Sequence, residues 1–175
     1  MKTRARIYFL TEAAAIASLY LLFTLLGIQF ASGVIQLRFS EALSVLPYFT
    51  GAAVPGLTVG CLLANLIGGC APWDVVFGTL ATAIGAVLAR MIRRLPYLVP
   101  IPNIVSNTLI IPFVLRLVYA AKESLPFLFL SIGISEVLSS GVLGIGLLLL
   151  LRPYANRLFL SEKRPSDTKQ GVSHE

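Results

Sequence analysis

In 175 residues the chain is 57% hydrophobic and only 13% charged, with a mean hydropathy of +0.85; a soluble domain carries about 25% charge, so a water-facing domain is excluded and lipid is the solvent. The net charge of +6 does not point to nucleic acid, because Lys and Arg stand at the ends of apolar runs, as residues held on the cytoplasmic face of a membrane do. Cys61, Cys70 and the single His174 offer no metal-ligand spacing, so neither a metal nor a cofactor is expected.

The first apolar segment is Ile7–Phe30. Lys2 to Arg6 followed by that run imitates a secretory leader, but the run exceeds the usual core of about 7–15 residues and carries Glu12. It is read as a retained helix. Ala13 and Ala17 lie one turn apart with Ala14 and Ser18 alongside, a small-xxx-small surface on which another helix can dock. In Ile35-Gln36-Leu37-Arg38-Phe39-Ser40 apolar and polar residues alternate, the period of an extended segment with two faces. It serves either as a lid pointing Gln36, Arg38 and Ser40 one way or as an ordinary interfacial loop.

Two short segments follow, Glu41–Ala53 and Pro55–Gly69, each below the roughly 20 residues of a usual crossing. Pro47 in the former frees a carbonyl that protein or water must satisfy. The latter carries Gly56, Gly60, Ala64 and Gly68 at every fourth position, a close-packing seam, with Asn65 and Cys61 on the adjacent face. Asp74–Ile92, Pro100–Tyr119 and Pro126–Leu151 are long enough to cross. The segment 161–175 is polar and charge-mixed, a composition that predicts a disordered tail beside a membrane domain of residues 1–160.

Charge parity sets the number of crossings. Basic residues cluster before the first segment (Lys2, Arg4, Arg6), after the fourth (Arg90, Arg93, Arg94) and after the sixth (Arg152, Arg157, Lys163, Arg164, Lys169), leaving only Arg38, Arg116 and Lys122 elsewhere. If all three clusters share the cytoplasm, even numbers of crossings separate them. The two short segments are then separate helices. The expectation is an all-α membrane protein of six transmembrane helices, both termini cytoplasmic, with Ile35–Ser40 outside.

Acids inside apolar segments are the main functional signal, since each costs at least about 2.5–3.5 kcal/mol at the bilayer centre. Glu136 stands about 15 Å beyond Pro126 at 1.5 Å per residue, near mid-bilayer, with Ile132, Gly133, Ser139 and Ser140 one turn away. It faces a ligand or pairs with Arg116. Glu41 and Asp74 complete the set. Asn103, Ser106 and Asn107 form a polar stripe, either helix-to-helix glue or ligand contacts, with the deeper Asn107 preferred for the latter. No G-x-x-x-x-G-K-[ST], G-x-S-x-G or H-E-x-x-H occurs, so no ATP site and no familiar hydrolase is expected.

The stretches Ile35–Leu43, Leu46-Pro47-Tyr48-Phe49, Pro55-Gly56 with Gly60–Asn65, and above all Asp74–Thr82 resemble the queuosine-precursor transporter family, over roughly Arg6 to Arg152. Those proteins are substrate-binding S components of energy-coupling factor transporters. The resemblance implies a six-helix fold of the S-component type in the cell membrane of a bacterium, capturing queuine or a preQ1-like 7-deazaguanine outside. It implies no enzyme activity in this chain. It implies a transmembrane coupling subunit with two ATPase subunits as partners, docked at Ala13 and Ala17, and Arg38, Glu41, Asn65, Asp74, Asn107 and Glu136 as the substrate-binding set. An S component for another vitamin and a membrane-embedded enzyme acting on lipid or isoprenoid are the alternatives.

Overall fold

The computed structural model describes residues 2–27 and 38–162, and every regular element among them is helical. Helix α1 runs over Lys2–Gly27, a 3-10 helix over Phe39–Tyr48, α2 over Ala53–Ile67, α3 over Pro72–Met91 and α4 over Ile101–Leu117. Helix α5, Leu125–Glu136, continues through a π-helical stretch, Val137–Leu143, into α6, Gly144–Leu151. Counting α5 to α6 as one rod gives six helical rods, as parity requires. Four helices, Thr3–Gly27, Pro72–Met91, Pro96–Leu117 and Leu125–Tyr154, are long and apolar enough to cross a membrane. Gln36, with the rest of 28–37 and 163–175, lies outside the described residues.

The expected second helix takes a tighter form. At about 2.0 Å per residue a ten-residue 3-10 helix reaches only about 20 Å, less than the roughly 30 Å of hydrocarbon it would have to cross. It is sheltered rather than lipid-facing: Ser40, Glu41, Leu43, Ser44, Val45, Leu46 and Pro47 are all buried. The Pro47 carbonyl accepts a hydrogen bond from the Arg90 guanidinium at 3.0 Å, which answers the requirement that protein satisfy the backbone there.

Small residues set the spacing of the rods. A Cβ on Gly56 would lie 2.8 Å from the Ala13 carbonyl oxygen, and one on Gly60 2.8 Å from Tyr20 Cβ and 2.9 Å from the Ala17 carbonyl. The seam of α2 therefore packs backbone to backbone on α1, as small residues in lipid do. Gly85 does the same between α3 and α4, where a Cβ would meet Asn103 Cα at 2.8 Å. Gly144 lets α6 close on Val45. Gly68 caps α2, and Gly69 follows at φ +71°, a conformation that suits glycine.

One end of the bundle is tied by a carboxylate. Glu12 accepts hydrogen bonds from Thr50 Oγ1 at 2.8 Å and from Ser161 N and Oγ at 2.7 and 2.6 Å. Phe49 stacks on Phe159 at 5.1 Å. Ser161 sits in a 3-10 helix, Leu160–Glu162, so the folded chain continues into the first residues of the expected tail.

Candidate functional site

Elements far apart in sequence bring two carboxylates together at the centre of the bundle. The 3-10 helix carries Glu41, 2% exposed, and the end of α5 carries Glu136, 6% exposed. Asn103 joins them from α4. Its Nδ2 donates to Glu41 Oε2 at 2.9 Å, to Glu136 Oε2 at 3.5 Å and to Ser140 Oγ at 3.3 Å. Tyr20 of α1 donates to Glu41 Oε1 at 2.7 Å. Both Glu41 oxygens are thus occupied by protein donors, and Glu136 is held more loosely. The π-helical stretch begins directly after Glu136 and turns Ser139 and Ser140 inward. Ser140 shares a 2.5 Å hydrogen bond with Ser44, and Ser139 Oγ accepts from the Arg38 N–H at 3.2 Å. Wide π turns recur at functional sites.

Arg38 enters from the start of the 3-10 helix, and its guanidinium acts electrostatically on Glu41, Tyr20 and Glu136. Asn107 lies beside Glu136, 3% exposed, with its buried Nδ2 lacking a partner in bonding geometry. Ser40 Oγ is likewise buried and unpartnered. Unsatisfied buried polar groups are costly, so donors left open beside an acidic centre mark a place for a ligand.

Asn65 and Asp74 form a second group. A Cβ on Gly78 would lie 3.1 Å from Asn65 Nδ2 and 3.6 Å from Asp74 Oδ1, so both flank this glycine. Asp74, in the first turn of α3 behind Pro72, accepts a 2.8 Å hydrogen bond from the Tyr119 hydroxyl, which accepts one from Ala71 N at 3.1 Å. Partial burial raises the Tyr119 pKa; the Ala71 bond opposes this and Asp74 reinforces it. Cys61 links the groups, receiving Asn65 Nδ2 at 3.6 Å and Thr82 Oγ1 at 3.3 Å and lying against Tyr20. A polar track therefore runs from Asp74 past Asn65, Cys61 and Tyr20 to Glu41 and Glu136.

Of the sequence-derived set, Arg38, Glu41, Asn107 and Glu136 meet at the centre, and Asn65 with Asp74 lies along the track. Glu136 does not pair with Arg116, which donates instead to the Ala121 and Glu123 carbonyls. Asn103 is the hub that depth along the helix passed over; its place in the polar stripe was the available signal. Tyr20 carried none, being one aromatic in an apolar helix. Ala13 and Ala17 need correction as a docking face. Ala17 is 8% exposed, and the backbone of both is met by Gly56 and Gly60, so α2 already occupies that side of α1.

A family model described as the QueT transporter matches residues 10–153. Neither a curated protein nor a solved structure matches the chain.

Proposed function

The chain belongs to the QueT transporter family, and we propose that it is the substrate-binding membrane subunit of an ATP-driven energy-coupling factor importer, capturing a 7-deazaguanine queuosine precursor outside and delivering it inward. The observation that supports this reading is the acidic centre itself: Glu41, Asn103 and Glu136 buried among apolar helices, with Arg38 over them and the Asn107 amide unpartnered. A deazaguanine edge presents N–H donors beside a carbonyl. A carboxylate accepts such donors in pairs, and an Asn amide N–H serves the carbonyl. Glu136 and Asn107 supply that combination, while Asn65 and Asp74 line the approach.

The sequence has no P-loop, so uphill uptake draws on a coupling subunit and two ATPases. With Ala13 and Ala17 against α2, the docking surface is the neighbouring small stripe, Ala14 and Ser18, both exposed. The Ser18 hydroxyl donates to the Ala14 carbonyl at 2.9 Å, so the stripe offers close packing without an unsatisfied donor.

Uptake of labelled 7-deazaguanines by cells expressing the chain, with and without the ATPase module, tests the assignment. Uptake is expected only with the module. Asn107→Ala and Asp74→Asn are expected to weaken binding to the purified chain, each by less than loss of the Glu136 charge. Uptake in cells lacking any such module would remove the energy-coupling reading, and an enzyme would instead show turnover by the chain alone.

A further inference from the structure

The charges at the centre do not balance. Glu136 feels Glu41 and Arg38, so two carboxylates face one guanidinium in a site walled by apolar helices. Glu41 is engaged on both oxygens by Tyr20 and Asn103. Glu136 has only the 3.5 Å contact from Asn103 and the neighbouring Asn107 amide, whose Nδ2 is buried without a bonded partner. Resting on the reading that this is the solute site, we propose that the solute carries a protonated amine and that Glu136 is the group that receives it. An uncompensated charge away from water is unfavourable, and a cationic solute restores balance on binding. The rival is a proton held by Glu136, which would leave the site neutral without the solute. The surrounding groups favour the ionised acid: the amide N–H donors of Asn103 and Asn107 approach it, and an ionised carboxylate is an acceptor only.

Two measurements on the full chain in detergent test this. In the first, 7-aminomethyl-7-deazaguanine, cationic at neutral pH, is compared by calorimetry with its neutral 7-cyano counterpart. The wild type is expected to prefer the amine by at least tenfold, and Glu136→Gln to weaken the amine by more than tenfold while changing the nitrile much less. Equal binding of the two by the wild type, or an equal loss of both in Glu136→Gln, overturns the charge assignment and leaves the deazaguanine reading standing. In the second, the solute that co-purifies with the chain is released by denaturation and identified by accurate mass. A basic amine of another class, with neither deazaguanine binding, removes the deazaguanine reading and supports the charge assignment. A neutral or acidic solute overturns the charge assignment, and the absence of both co-purifying solute and binding overturns it together with the proposed function.

Discussion

Glu41 and Tyr20 show how a single hydrogen bond positions the centre. The Tyr20 hydroxyl holds Glu41 Oε1 at 2.7 Å with both residues buried, and a hydrogen bond to a charged group contributes about 1.5–3 kcal/mol. Tyr20→Phe is expected to lower the melting temperature in detergent by that order of stability. The same change in a Glu41→Gln background is expected to cost clearly less, since the partner has lost its charge; an equal cost in both backgrounds would show that Tyr20 acts through packing alone. The acids themselves were legible in the sequence, because an ionisable residue in an apolar run is conspicuous. Asn103 was not legible as the hub. Its role depends on Gly85 admitting α4 so closely that a Cβ there would touch Asn103 Cα at 2.8 Å, and a contact between two helices is invisible in the periodicity of either one.

At the scale of elements, the four-residue repeat of α2 was readable, and Gly56, Gly60 and Ala64 do face a neighbour. What the repeat could not tell was the neighbour's identity. The small stripe on α1 was read as a surface for another protein, and its Ala13–Ala17 edge meets α2 instead. Gly60→Leu is therefore expected to force the backbones of α1 and α2 apart, displacing Tyr20 with them, and to reduce both melting temperature and solute binding. Retention of both would show that α1 tolerates displacement and that Tyr20 does not position Glu41. The tightness of the second segment was equally hidden. Seven of its residues are buried by other elements, and this packing, rather than its own propensity, holds a ten-residue run in a form that is uncommon beyond about four.

For the whole molecule, the arrangement of charge predicts the orientation. A cysteine at Ser32, in an otherwise cysteine-free chain, is expected to react with a membrane-impermeant reagent in intact cells, and one at Ser166 only after permeabilisation; the reverse pattern would invert the topology. Orientation then fixes which half of α1 is available to the energy-coupling partner. Ala14 and Ser18 lie about 6 Å apart along α1, at 1.5 Å per residue, on an exposed stripe near the end that Glu12 ties to Thr50 and Ser161. In lipid there is no hydrophobic drive between helices, so a partner must be held by close backbone packing. Trp at both positions would hold it off by several ångströms without entering the Glu41–Asn103–Glu136 centre, whose α1 contact is made by Tyr20. Ala14→Trp with Ser18→Trp is therefore expected to leave solute binding and melting temperature near wild type while co-purification with the ATPase module and uptake are lost together. Ala17→Trp, aimed into the α2 seam, is expected to lower stability and binding first. Normal uptake by the Ala14/Ser18 double variant would place the docking surface elsewhere on the bundle.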